Sequence, residues 1–78
     1  MPEIAYGAEG WTPGTRVTVR DNLDLCRTPD VTACDAGAVS TGEEGVIVSG
    51  PVGSGEHWWW EVEFQDGRAG WIAQVLLG

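Results

Sequence analysis

Hydrophobic and polar residues alternate most clearly in the last third of the chain, residues 57–77. Two alternating runs flank the sequence Gln65-Asp66-Gly67, which is a strong signal for a tight turn. The pattern therefore predicts a β-hairpin. Because a one-residue change of register would exchange the buried and exposed faces of a strand, the length of the loop decides which residues enter the core.

Two loop lengths fit this turn. A two-residue loop would pair Val62 with Trp71 and turn Ile72 outward, whereas a three-residue loop over 65–67, ending in a left-handed glycine, pairs Val62 with Gly70. The second register collects Trp60, Val62, Phe64 and Ile72 on one face and leaves Trp59, Glu61, Glu63 and Trp71 on the other. We therefore predict the three-residue loop.

Shorter alternating runs upstream predict further strands. Residues 15–20 alternate with Val17 and Val19 inward, Leu23 and Leu25 continue the pattern, and residues 46–48 form another apolar run. Residues 73–75 are expected to form one 3₁₀ turn before the last strand. The predicted core is Val17, Val19, Leu25, Val46, Val48, Trp60, Val62, Ile72 and Leu77. Together these patterns predict an all-β fold of five to six strands.

The remaining segments are expected to be loops. Residues 28–38 form a long acidic loop, and residues 49–56, rich in glycine, are expected to be a flexible connection. Residues 1–13 are interpreted as an N-terminal tail or an added strand, and residues 14–78 as the folded barrel.

The motifs Trp59-Trp60-Glu61-Val62-Glu63 and Gly70-Trp71-Ile72, followed by Val75-Leu76-Leu77, resemble the second half of an SH3-type barrel, and the bacterial SH3 (SH3b) branch is the most similar. The resemblance extends over roughly residues 14–77. It implies a small, partly open barrel. In the segment 23–29 the chain departs from the family, because Cys26 stands where an arginine is usual and Arg27 follows it.

Composition limits the range of functions. Twelve acidic residues face four arginines and no lysine, which gives a formal charge of −8 and disfavours direct binding to nucleic acids or anionic membranes. No hydrophobic run approaches the about 18 residues that a membrane-spanning helix needs. If Met1 is the native start, a cytoplasmic location is expected, since no signal peptide follows it.

Two cysteines and one histidine are the candidates for special chemistry. Cys26 and Cys34 could form a disulfide across the long loop, or could remain two reduced thiols in a reducing compartment. Their spacing to His57 matches no known pattern of metal ligands, so no metal or other cofactor is expected. His57 has no evident nucleophile beside it, and we do not expect an enzyme.

Five tryptophans are more than so small a core can bury, so some are expected at a binding surface. The favoured register places Trp59 and Trp71 outward, near Trp58, with Asp24 and Asp30 contributed by the long loop. Family resemblance adds Leu76, which stands where a groove tyrosine is usual. These six residues are the predicted ligand-binding set. Alternatively, Trp58 and Trp71 could cover the end of the barrel or contact the N-terminal tail.

Two functions remain open from the sequence. The first is a non-enzymatic binding module that recognises a peptide or protein, and the resemblance to SH3b domains extends this to a cell-wall peptide. The alternative is a small acidic regulator or inhibitor, of bacterial or phage origin, that presents carboxylates to a basic protein in place of nucleic-acid phosphates.

Overall fold

The computed structural model describes residues 4 and 6–78 and shows a small all-β fold. Its elements are β1 (Arg16–Thr18), β2 (Leu23–Asp24), β3 (Ala38–Val39), β4 (Glu44–Ser54), β5 (His57–Phe64), β6 (Ala69–Ala73) and a 3₁₀ turn (Gln74–Leu76). Four strands form an antiparallel sheet in the order β1-β4-β5-β6, and β2 and β3 form a second, two-stranded sheet. The larger sheet curls into a half-barrel, which agrees with the expectation of a small, partly open barrel.

The β5–β6 hairpin has the predicted register. Val62 pairs with Gly70 and Trp60 pairs with Ile72. The backbone N–H of Phe64 donates to the carbonyl oxygen of Arg68 at 2.7 Å, which closes a three-residue loop. Gly67 has a φ of +95°, the left-handed conformation that the bulged turn requires. The inner face of the hairpin is therefore the apolar one.

The core lies on the concave side of this sheet. It consists of Val17, Val19, Leu25, Val39, Ile47, Trp60, Val62, Phe64, Ile72 and Leu77, all buried. Trp60 is completely buried and is the largest side chain in it. Seven of the nine predicted core residues are in this set, and the two exceptions lie together on β4.

The prediction that Val46 and Val48 are buried is wrong. Val48 is 42% exposed, whereas Ile47 between them is 2% exposed. Ile47 pairs with Val62, and Gly45, two residues earlier, also faces inward. A Cβ added to Gly45 would lie 2.6 Å from Cγ1 of Val62, so this crowded inward position accepts only glycine. Gly45, rather than the two valines, therefore determines which side chains of β4 face the core.

The prediction of a flexible connection over residues 49–56 is also wrong. Strand β4 continues to Ser54, and β5 begins at His57, so only Gly55 and Glu56 form the turn. The register shifts between Ile47 and Ser49 and again before Val52. Bulges of this kind allow glycine and proline to remain in a paired strand.

Single bridges, rather than a final strand, close the barrel. Val19 is bridged to Leu77 after the 3₁₀ turn, and Thr18 and Gly78 exchange backbone hydrogen bonds of 2.8 and 2.9 Å. On the other side, Cys26 is bridged to Trp71, which joins the segment after β2 to the edge of β6. The predicted 3₁₀ turn is present but begins one residue later, at Gln74, and the expected last strand is reduced to one pair.

The N-terminal segment runs along the barrel without forming a strand in its described part, residue 4 and residues 6–13. The remaining residues of the predicted tail lie outside the described residues. The Trp58 indole nitrogen donates to the carbonyl oxygen of Tyr6 at 2.8 Å, and Trp11 packs on Trp60 with ring centroids 5.1 Å apart. The described part of the segment is therefore held by side chains of the barrel.

Candidate functional site

A groove crosses the outward face of the β5–β6 hairpin. It has a volume of about 380 Å³ and lies between the hairpin, the segment after β2, the long loop and the 3₁₀ turn. The groove is lined by Leu23, Asp24, Cys26, Val31, Cys34, His57, Trp59, Trp71, Ile72, Ala73, Val75 and Leu76. Most of these side chains are apolar, so the groove is suited to apolar or amphipathic ligands.

The strand registers fix the arrangement of the groove floor. Trp59 pairs with Ala73 across the hairpin, and Trp71 is bridged to Cys26. Because side chains alternate along a strand, Asp24 lies on the same face as Cys26. Ala73 therefore lies beside Trp59 and packs in one cluster with Trp59 and Cys26. Since its side chain is only a methyl group, it leaves a hollow between larger neighbours.

The rim of the groove contains exposed valines. Val31, in the long loop, is 72% exposed, and Val75, in the 3₁₀ turn, is 48% exposed. The two cysteines form a disulfide, which is one of the two alternatives that the sequence left open for Cys26 and Cys34. This disulfide lies in the wall between the loop and Trp71.

Four of the six predicted ligand-binding residues line this groove: Trp59, Trp71, Asp24 and Leu76. Asp30 does not line it; its carboxylate accepts a hydrogen bond of 3.0 Å from the backbone N–H of Thr32 and shapes the loop. Trp58 does not line it either, because its indole contacts the N-terminal segment. The position of Trp58 agrees with the alternative interpretation, in which this residue contacts the N-terminal tail.

Trp59 lies on the predicted face but is not exposed. Only 4% of it is accessible, and it forms a second apolar cluster with Cys26 and Ala73. Its indole nitrogen donates to the carbonyl oxygen of Ser54 at 3.0 Å. The His57 ring packs edge-on against the indole, with the ring centroids 6.4 Å apart. Trp59 therefore forms part of the floor of the groove, and the half-buried Trp71 is the accessible indole.

Sequence reasoning missed Val31 and Val75 as groove residues. Val31 is an isolated apolar residue in a segment predicted to be a loop, whereas Val75 begins the run Val75-Leu76-Leu77, which was interpreted as a turn and a closing strand. For Val31 the isolation was the signal, since a large aliphatic side chain in a loop has no strand partner to cover it.

The groove carries little charge. Asp24 is its only carboxylate, and within residues 4 and 6–78 the Asp24 side chain makes no hydrogen bond or ion pair. The nearby Arg27 is paired with Asp35 at the surface. An unpaired carboxylate beside an apolar floor favours a ligand with a positive charge at one point.

A stronger charge cluster lies elsewhere on the barrel. Arg68 pairs with Glu43 and Asp66 and donates to the carbonyl oxygen of Ala38 at 2.6 Å. Hydrogen bonds from Arg68 hold the pKa values of both carboxylates below their usual range. The guanidinium also lies 5.4 Å from the centroid of the Phe64 ring, so this cluster stabilises the loop end of the β5–β6 hairpin.

Two kinds of feature are absent from the described part of the chain. There, no group of three or more His, Cys, Asp or Glu side chains is placed to hold a metal ion. Over the same residues, no helix has the length and apolar character needed to cross a membrane.

Comparison of the chain with protein-family models, with curated proteins and with solved structures gave no significant match.

Proposed function

We propose that this protein is a non-enzymatic binding module, similar to bacterial SH3 domains, that holds an extended peptide segment of a partner in the groove around Ala73. The observation that carries the proposal is the hollow between Trp59, Trp71 and Asp24, which combines an apolar floor with one carboxylate that is unpaired within residues 4 and 6–78. We expect the bound segment to combine apolar side chains with a basic residue, as a protein partner or a cell-wall peptide would.

The overall charge supports a ligand of this kind. With a formal charge of −8 and no lysine, the protein attracts positively charged segments over the range of the Debye length, about 8 Å at physiological salt. Apolar contact with the indoles would then hold the segment in place. Binding should therefore be accelerated by low salt but should survive moderate salt.

His57 and the two cysteines of the groove are already engaged, which favours binding over catalysis. The Nδ1 atom of His57 lies 3.3 Å from the hydroxyl of Tyr6, and the two sulfur atoms are bonded to each other. The acidic-inhibitor alternative would use charge rather than the groove. It therefore predicts steep loss of affinity with salt and no effect of changes at the groove.

Selection from a displayed library of random peptides tests the proposal and does not require that the partner be identified. Peptides selected on the protein should be enriched in aliphatic residues with an arginine or lysine at a fixed position. The selected peptides should then be titrated against Val75→Glu, which places a charge on the groove rim. We expect a loss of affinity of about tenfold or more.

Val48→Glu is the matched control. It changes the same residue type at similar exposure, 42% against 48% for Val75, on strand β4 outside the groove. It should leave the affinity unchanged. Equal effects of the two variants, or a library that yields no enriched peptide, would contradict the groove as the binding site.

A further inference from the structure

The disulfide joins the two ends of the loop segment that walls the groove. Cys26 follows β2 and is anchored by its backbone bridge to Trp71, while Cys34 lies at the far end of the loop. Both cysteines line the groove, together with Val31 from the loop between them. The covalent link therefore connects this wall to the hairpin floor.

Little else holds residues 27–33 in place. None of them is buried, and Val31 at the loop tip is 72% exposed. The backbone N–H of Arg27 donates to the carbonyl oxygen of Ala33 at 2.8 Å. The ion pair between Arg27 and Asp35 is exposed on both sides, 63% and 65%, and such pairs contribute little in water.

We propose that thiol–disulfide exchange at Cys26–Cys34 controls the groove: the oxidised protein has a formed wall, and reduction releases residues 27–33 while the barrel stays folded. The inference rests on the proposed function for its consequence, which is that the oxidised form binds the peptide and the reduced form does not. The barrel core does not include the loop, since the loop residues contribute no buried side chain to it.

The two cysteines differ in exposure, which gives the exchange a direction. Cys26 is 4% exposed and packs on Trp59, whereas Cys34 is half-buried and faces the groove. A thiolate of a dithiol reductant therefore attacks the sulfur of Cys34.

The exchange then balances in two steps. The new sulfur–sulfur bond forms at Cys34 as the original one breaks, and Cys26 leaves as a thiolate that takes up a proton. The second thiol of the reductant then attacks the reductant sulfur that is bonded to Cys34 in the mixed disulfide. Cys34 leaves as a thiolate and is protonated. Two electrons pass to the protein, and the reductant ends as a disulfide.

Amide hydrogen exchange followed by NMR tests the release directly, with dithiothreitol as the reductant. On reduction, the hydrogen-bonded amide of Arg27 should exchange about tenfold faster or more, while that of Val62 in β5 should keep its protection. The Cys26→Ala/Cys34→Ala variant should behave like the reduced protein and should not respond to dithiothreitol.

Binding of a library-selected peptide is the second readout. Its affinity should fall by about tenfold or more on reduction of the wild type and should be equally low in the double variant. Unchanged protection of Arg27 after reduction would overturn the inference, as would loss of protection at Val62, because the proposal requires an intact barrel. If the library yields no peptide, the proposed function fails, and the exchange data alone decide the loop release.

Discussion

The indole nitrogen of Trp60, at the centre of the core, donates a hydrogen bond of 2.9 Å to the side-chain oxygen of Gln74. The same oxygen accepts the backbone N–H of Glu9 at 2.9 Å, and the Gln74 amide nitrogen donates to the carbonyl oxygen of Gly7 at 3.0 Å. Gln74 is 7% exposed. The buried side-chain amide of Gln74 therefore accepts the hydrogen bond of the Trp60 indole and also binds the N-terminal segment to the barrel.

Gln74→Leu should destabilise the protein by about 1–3 kcal/mol, because the buried indole N–H would lose its acceptor. Urea unfolding followed by tryptophan fluorescence measures the change in the free energy of unfolding. Gln65→Leu, in the exposed hairpin loop, is the matched control and should change stability little. Equal stability of the two variants would show that Trp60 finds another acceptor.

Gly70 is a second sensitive position, since the segment after β2 crosses directly over it. A Cβ at this position would lie 2.7 Å from Cβ of Leu25 and 3.0 Å from the carbonyl oxygen of Cys26. Gly70→Ala should therefore cost about 1–3 kcal/mol of stability, as overpacked sites do. In the control Gly10→Ala the added methyl group meets no atom within 4 Å. Thermal melts that do not separate the two variants would contradict this packing.

The Arg68 cluster predicts a dependence of stability on pH. Hydrogen bonds from Arg68 lower the pKa values of Glu43 and Asp66 in the folded protein from ordinary values of 4.5 and 3.8. A lowered carboxylate pKa stabilises the fold above the unfolded-state value, and this contribution is lost as the pH falls through the folded-state value. Stability should therefore decline as the pH falls below about 4.5.

Arg68→Gln should reduce this acid dependence, because the carboxylates would then titrate nearer their ordinary pKa values. Arg16→Gln is the control, since Arg16 forms no ion pair within residues 4 and 6–78. Denaturant unfolding at several pH values between neutral and acid gives the change of the free energy of unfolding with pH, which is then compared between the variants and the wild type. Identical acid dependence in the wild type and Arg68→Gln would contradict the cluster.

The hairpin could be predicted from sequence because two independent signals agreed. The turn chemistry of Gly67 and the alternation around Val62 selected the same register. The phase of β4 could not be predicted in this way. Val46, Ile47 and Val48 are all apolar, so either phase buries hydrophobic side chains, and the decisive factor was the crowding of Gly45 by a residue of the next strand.

The site was predicted in part for a related reason. Alternation indicates the face on which a residue lies, and Trp59 and Trp71 do share the outward face. It does not indicate what covers that face. Trp59 is buried because Cys26, from a segment far away in sequence, packs on it through a long-range bridge to the neighbouring strand. Such contacts have no local signature in the chain.

The burial of Trp59 changes the expected effects of tryptophan substitutions. Because Trp59 and Trp60 are 4% and 0% exposed, alanine at either position should destabilise the protein, each by about 3–5 kcal/mol. Trp71 is half-buried, so Trp71→Ala should cost less stability but should weaken peptide binding, as the loss of an accessible aromatic anchor does.

Thermal melts of the three alanine variants, combined with titration of a library-selected peptide, test this ordering. Trp71→Ala should melt closest to the wild type and still bind about tenfold more weakly or worse. Trp58→Ala is the control for binding, since its indole contacts Tyr6 rather than the groove. If Trp58→Ala weakens binding as much as Trp71→Ala, the partner contacts the N-terminal side of the barrel. The hollow around Ala73 would then not be the site.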